Sequence, residues 1–590
     1  MDMFHDSRSP DCRAPVGALT TGQSVRLRLY VRGSAARVTL RLWNGGEELV
    51  AMKHQGLGVY EATIQAPETP GLWWYSFCLE DARGHRLYYG NARDELGGVG
   101  AVYQDPPPSY QITVYDPAFT PPKYLTDGIM YQIFPDRFHR SRPPVSKRKD
   151  LYLHENWDDL PLVGQDPRSG DHLAADFFGG DLEGIRQKLP YLKELGITLL
   201  YLNPIFKARS NHRYDTGDYH QIDPLLGDED SLRKLCETAE EMGMRVMLDG
   251  VFSHTGEDSI YFNRYGRYDG LGASQSKDSF YYPWYQFSDY PDKYACWWGI
   301  HTLPEVNKNN TSFRAFIMGP DGVARRWLRA GVSGWRLDVA DELPLTFLQD
   351  LRHAVKAEKA DAAILGEVWE DASNKLAYGQ VRSYVLGDTV DSVMNYPLRD
   401  ALIRFFTHEI PAAQFVRIIR SLQENYPVPF FYATMNLIGS HDRARILNRL
   451  VKRDYAELPL KERGHQALPK ALRDLAISRL EKVMRVVTAM PGMPSLYYGD
   501  EAGLEGAADP FCRGTFPWGH EDPRTMAIFK EAFRLRQERP VLRRGSLSLS
   551  HEGEDTLVIH RASLDGLDVF GEPLMDGPYT LRVSRDRIVL

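Results

Sequence analysis

Arg336 and Asp338 occupy alternate positions of "GWRLDVADE" (334 to 342), a segment whose other residues suit a buried strand. Similar residues recur near the ends of other apolar segments: Asp249 and His254 in "DGVFSH", Glu367 in "GEVW", His441 and Asp442 in "IGSHD". Each alone has an ordinary structural reading, such as a buried Arg336–Asp338 ion pair. Independent structural pairs have no reason to gather at one end of separate strands, and burying several charges is costly unless they pair or work. The set therefore points to catalysis. No GxSxG elbow, HExxH motif or phosphate-binding glycine loop is present, so peptidase, esterase and kinase chemistry lose their usual support. Carboxylates with Arg and His suit the breaking of a glycosidic bond. One carboxylic acid protonates the leaving oxygen and one carboxylate attacks or activates water, the pair lying about 5 Å apart in retaining enzymes.

Such a set needs a scaffold that brings strand ends to one face. From residue 121 a helix, glycine, strand grammar recurs. "DLEGIRQKLPYLKELG" carries apolar residues at 182, 185, 189, 192 and 195, with Asp181 as N-cap, Gly196 as the closing glycine and Pro190 predicting a break. Eight strands are expected, at 129–134, 198–203, 245–251, 334–339, 364–369, 392–396, 434–440 and 495–500. Continuous apolar strands alternating with helices imply a parallel sheet, and eight units a closed (β/α)8 barrel, an α/β fold of the TIM type; an open doubly wound sheet also fits the pattern. The third unit carries a lobe at 254–312, rich in Tyr, Trp, Gly and Asp.

Ahead of the barrel, residues 1–120 show the short alternating stretches of a β-sandwich, ending in the Pro-rich connector around "DPAFTPPKYL". Within it "GLWWYSF" (71 to 77) is read as packing rather than as a sugar platform. The barrel region runs 121–540, and 541–590 reads as a small C-terminal β cap. The net charge of -8, with no polybasic tract, argues against nucleic acid. No segment is apolar enough for a membrane span, and no N-terminal signal is visible. Five scattered cysteines suggest neither disulfides nor a zinc site, so a cytoplasmic location is expected.

These motifs resemble the signature regions of the α-amylase superfamily: "DGVFSH", "GWRLDVADE", "GEVW" and "IGSHD" stand in the family's order and approximate spacing. "YQIFPDRF", "LPEVN" and "GMPSLYYGDE" match secondary signatures. The resemblance covers roughly residues 20 to 545 and is greatest to the neopullulanase, cyclomaltodextrinase and maltogenic amylase group. It implies Asp338 as nucleophile, Glu367 as general acid and base, and Asp442 as transition-state stabiliser. Tyr214 matches the aromatic under the reacting sugar, and His254 and His441 match ligands of its hydroxyls. Asp249, Arg336, Glu342, Trp369, Asp509 and Arg513 complete the implied binding set. Arg336 is expected to keep Asp338 ionised by charge and hydrogen bonding. Burial is expected to keep Glu367 protonated. Ser253 departs from the usual Asn, Arg443 from a smaller residue, and Cys512 and Gly514 from the common pattern beside Arg513. The tail is shorter than the family's terminal sandwich.

The expected reaction is retaining hydrolysis of α-1,4 bonds in maltooligosaccharides, cyclodextrins or pullulan, with transglycosylation in reach. An α-1,6-glucosidase, a glucanotransferase, or a catalytically inactive glycan-binding scaffold are the alternatives. No cofactor is required; a structural calcium ion and a homodimer are implied by the resemblance alone.

Overall fold

The alternation of the first hundred residues folds into two facing, mostly antiparallel sheets. In the strand Ser24–Arg32 every second residue, from Val25 to Val31, points inward. Opposite it, Trp73, Tyr75, Phe77 and Leu79 of the strand Gly71–Glu80 close the core. Period-two patterning thus turns one face of each sheet into interior. Trp73 packs inside, whereas Trp74, one residue on, leaves the core by the other face. The sandwich is clasped to the barrel helix Ala412–Asn425: Glu424 accepts from Arg8 Nε at 2.8 Å and from Arg13 Nη1 at 3.3 Å.

The computed structural model describes residues 2–33, 35–164, 174–585 and 588–589. Its centre is a parallel barrel of eight strands: β1 (Met130–Ile133), β2 (Leu199–Leu202), β3 (Arg245–Gly250), β4 (Gly334–Leu337), β5 (Ala363–Gly366), β6 (Ser392–Val393), β7 (Met435–Leu437) and β8 (Met493–Tyr497). They pair in the order β6-β5-β4-β3-β2-β1-β8-β7. A parallel bridge between Met394 and Met435 joins the two ends and closes the ring, which excludes the open sheet. Interior positions are filled by Met130, Leu199, Tyr201, Met247, Leu365, Met435 and Met493. Leu200, Leu248, Trp335 and Leu337 face the surrounding helices.

The helix expected through 182–195 is two, Leu182–Gln187 and Leu189–Glu194, parted at Lys188 ahead of Pro190. Proline has no N–H to give and clashes with the preceding turn. The Asp181 carboxylate caps the first by accepting from Gly184 N at 2.5 Å, and Gly196 closes the second at φ 86°. Several strands are shorter than expected. β6 is two residues, because Asn395 already caps the helix Tyr396–Phe406, and β8 begins and ends earlier than 495–500.

Between β3 and β4 the chain builds a lobe of short 3-10 turns and a small hairpin, Phe287–Asp289 with Lys293–Tyr294, around packed Phe262, Tyr285, Phe287 and Tyr294. A second hairpin, Lys375–Ala377 with Gln380–Arg382, follows β5. Beyond the barrel, Ser546–Glu552, Thr556–Ala562, Tyr579–Ser584 and Ile588–Val589 form an antiparallel sheet. Asp586, Arg587 and Leu590 of the terminal stretch lie outside the described residues. Among the described residues no helix is long and apolar enough to cross a membrane.

Candidate active site

The alternation in "GWRLDV" is explained by the barrel: Trp335 and Leu337 face the helices, and Arg336 and Asp338 turn to the axis. β3 and β4 pair with Asp249 beside Arg336, so three charged side chains meet at the C-terminal rim, where barrel enzymes place their chemistry. Arg336 is fully buried and charged: burial opposes its charge, but Asp249 and Glu367 outweigh that cost. Its Nη1 donates to Asp249 Oδ1 and Asp338 Oδ1, each at 2.8 Å. Nη2 lies 2.8 Å from Glu367 Oε2. The two acids expected to work on one bond therefore sit on the two arms of one planar guanidinium.

Glu367 is held further by its neighbours. Val339 N–H donates to Oε2 at 2.7 Å and Trp369 Nε1–H to Oε1 at 3.1 Å. Val339 takes φ 37°, a rare conformation for a β-branched residue. Here the strained turn aims its N–H at Glu367. Asp338 Oδ2 has no hydrogen-bond partner among the described residues and belongs to a wall of the cavity.

Charge balance sets the protonation of this cluster. One guanidinium faces Asp249, Asp338 and Glu367, so negative charge is in excess. Burial first, and then the neighbouring carboxylates, push Asp338 well up from the ordinary carboxylate value; Arg336 pulls it down without prevailing. Burial also raises Asp249. Arg336 acts on Asp338 in the direction expected of it, by charge and hydrogen bonding, and burial opposes it. Asp442 is pushed up to about 7, by burial and then by the charge of Glu367. Interacting acids of this kind titrate as a set rather than singly.

The opposite wall is an uncharged network. Tyr214 stacks on His441 with centroids 5.3 Å apart and 8° between planes. Gln132 Nε2 donates to His441 Nδ1 at 2.8 Å, leaving Nε2–H to donate to Tyr214 Oη at 2.6 Å. Tyr214 Oη in turn donates to Asp249 Oδ2 at 2.8 Å, which also accepts from Tyr201 Oη at 2.6 Å. Burial holds His441 well below its ordinary value, aided by Arg513 and Arg336, and lowers His254 to about 3, aided by Lys308. Both imidazoles are neutral. His254 Nε2 is buried without a hydrogen-bond partner, while its Nδ1 is bonded to Ser253 Oγ at 2.9 Å.

Asp338, Glu367, Asp442, Tyr214, His254 and His441 all line one cavity of ≈ 920 Å³. Glu342, Trp369, Asp509 and Arg513 line it as well. Arg513 pairs with Asp509 at 2.9 Å and reaches to 3.8 Å from Asp442. Asp249 and Arg336 do not line it; they are buried beneath its floor and act through the groups above them. Sequence reasoning missed Tyr201, Gln132 and Asn203, whose side chains tie this floor together, because a polar residue in an apolar strand carries no sign of what lies across the barrel. It also missed Trp298 and Tyr378, which donate to the same Glu342 carboxylate oxygen from the lobe and the second hairpin.

No three His, Cys, Asp or Glu side chains converge as metal ligands among the described residues. Ser253 Oγ is committed to His254. That side chain is therefore engaged and not turned toward the calcium site implied by the resemblance.

The family profile described as "Alpha amylase, catalytic domain" matches residues 132–541. An amylopullulanase of Thermoanaerobacter thermohydrosulfuricus is 37% identical over 98% of this chain and 41% of its own length. A cyclomaltodextrinase of Geobacillus thermopakistaniensis is 34% identical over 76% of this chain and 68% of its own. This chain thus spans about two fifths of the amylopullulanase. Among solved structures, a cyclic alpha-maltosyl-(1-->6)-maltose hydrolase of Arthrobacter globiformis superposes with TM-score 0.65 at 29% identity, over 79% of this chain and 92% of that one.

Proposed function

Because the chain belongs to the α-amylase family of glycoside hydrolases, we propose that it cleaves α-1,4-glucosidic bonds of maltooligosaccharides, cyclodextrins or pullulan with retention of anomeric configuration. The observation that carries this reading is the Arg336 fork, with Asp338 on one arm and Glu367 on the other. Asp338 Oδ2, unengaged and facing the cavity, attacks the anomeric carbon. Glu367 delivers a proton to the departing oxygen, then takes one from the water that opens the resulting ester. Its Oε2 accepts from Val339 and faces Arg336, while Oε1 accepts from Trp369 Nε1–H.

Asp442, beside Arg513 and His441, accepts from ring hydroxyls as positive charge develops on the sugar. Neutral His254 has an unpartnered Nε2, and neutral His441, with both ring nitrogens engaged, holds Tyr214 in place; neither adds charge. None of the five cysteines forms a disulfide with another described residue, which supports a reducing compartment. Similarity to an amylopullulanase supports a second reading, action on α-1,6 bonds at the same site. Sizing the products from maltotriose, panose, isomaltose and pullulan separates the two. No release from any of these, by wild-type protein that binds them, overturns both.

A further inference from the structure

Arg443 follows Asp442 directly in the chain, yet it does not line the catalytic cavity. Its Nε is buried without a hydrogen-bond partner among the described residues. The guanidinium carbon lies instead 4.1 Å from the ring centroid of Trp369 and 5.9 Å from that of Tyr396. Those two rings are stacked, with centroids 4.1 Å apart and 5° between planes. Groups packed on opposite faces of a ring stand about 7 Å apart, twice the contact distance of about 3.5 Å. Arg443 and Tyr396 are closer to each other than that. Both therefore lie on one face of Trp369, and the other face is left to the cavity that Trp369 lines.

A cation at this place has an electrostatic cost. Burial lowers the pKa of Arg399, and the like charge of Arg443 adds to that fall. A methionine would fill the space without repulsion. What it lacks is attraction to the negative face of the indole, and the pull on ring electrons that makes Nε1–H a stronger donor. That N–H is the one that donates to Glu367 Oε1 at 3.1 Å. The stack is anchored at its far side too. Tyr396, fully buried at the start of the helix after β6, has its Oη 3.3 Å from Ser440 Oγ, which also accepts from Asp442 N–H at 3.3 Å.

We propose that Arg443 is a positioning residue for the proton-transferring acid: seated against Trp369, it fixes the indole plane from which Nε1–H orients the Glu367 carboxyl. The task given to Glu367 rests on the proposed function. Arg443 acts only through Trp369. A residue carried after β7 thereby sets an acid carried after β5, and one stack ties Glu367 to the segment that bears Asp442.

The test compares maltotriose with α-maltosyl fluoride, whose fluoride departs as an anion and needs no proton from Glu367. Full-length Arg443→Met is expected to lower kcat/KM for maltotriose roughly two- to thirtyfold, the span of one cation–π contact. Its kcat/KM for the fluoride stays near that of wild type. Arg443→Lys, which keeps a cation beside the ring, recovers most of the loss. Trp369→Phe keeps a ring but removes the N–H, so adding Arg443→Met to it costs nothing further on maltotriose. Thermal midpoints report the folding of each variant. Equal losses on both substrates, no loss on maltotriose, Met and Lys variants equally impaired, or the full loss persisting in Trp369→Phe would each overturn the proposal while leaving the cleft reading standing. Wild-type protein that turns over neither substrate fails the proposed function, and this inference with it.

Discussion

Arg336 donates from Nη1 to Asp338 Oδ1 at 2.8 Å, and the same nitrogen serves Asp249 at the same distance. One buried guanidinium thus positions the attacking acid from below and, through its other arm, faces the second acid. Removing it leaves three carboxylates buried without a counter-charge.

Arg336→Met is expected to destabilise the fold by about 3–5 kcal/mol, the usual cost of breaking a buried charge cluster from one side. Arg336→Lys keeps a charge but not the fork. Its kcat falls by at least about a hundredfold with KM less affected, since positioned acid–base groups contribute factors of this size. Thermal denaturation and steady-state kinetics check both; a Lys variant with near-normal kcat refutes the role of the fork.

Asp442 makes stability pH-dependent. Its carboxyl is pushed up to about 7 in the folded protein. Between the ordinary carboxylate value and 7 the unfolded chain has lost a proton that the folded form still holds. Stability from this group is full at low pH, falls as pH rises through that window, and is level above it. Asp442→Asn does not titrate there, so its thermal midpoint should gain on wild type between pH 4.5 and 8. An offset that does not vary with pH contradicts the assignment.

The same acid shapes activity. If Asp442 must be ionised, the acid limb of kcat/KM lies near its raised value. Arg513, which draws that value down, shifts the limb upward when changed to Gln. A pH–rate profile shows it; an unmoved limb in Arg513→Gln argues that another group governs the profile.

Trp298 and Tyr378 are largely exposed, at 78% and 68%, yet both donate to Glu342 at the cavity mouth. Trp298→Ala should raise KM for maltotriose several-fold and alter the ratio of transfer to hydrolysis, with stability changed by less than about 0.5 kcal/mol. Unaltered product ratios and KM would remove this pair from the substrate path.

Chelation tests whether calcium binds near Ser253. With its hydroxyl committed to His254, dialysis against EDTA is expected to leave the thermal midpoint unchanged, and added calcium to leave it unraised. A calcium-dependent rise would show that backbone oxygens build the site without that side chain.

Much of this architecture was legible because periodicity is local. The apolar runs locate the barrel strands to within a few residues, and Asp181, Pro190 and Gly196 mark helix ends by chemistry confined to one turn. The carboxylates were legible as polar interruptions of buried strands. What escaped depends on contacts across the barrel: Tyr201 reaching Asp249, Gln132 fixing the His441 tautomer, and Val339 adopting a strained φ so that its N–H meets Glu367. The upward push on Asp338 also escaped, because Arg336 two residues away is visible in the sequence whereas the competing burial and the neighbouring Asp249 and Glu367 are not. Trp74 likewise reads as core beside Trp73 until the strand's two faces are assigned.

Mechanism-based trapping probes the account most directly. Incubation with 5-fluoro-α-glucosyl fluoride, followed by peptide mass spectrometry, is expected to find one glycosyl ester, on the peptide carrying Asp338 and lost in Asp338→Asn. An adduct on a different side chain, or turnover of the reagent with inverted product and no adduct, would contradict it.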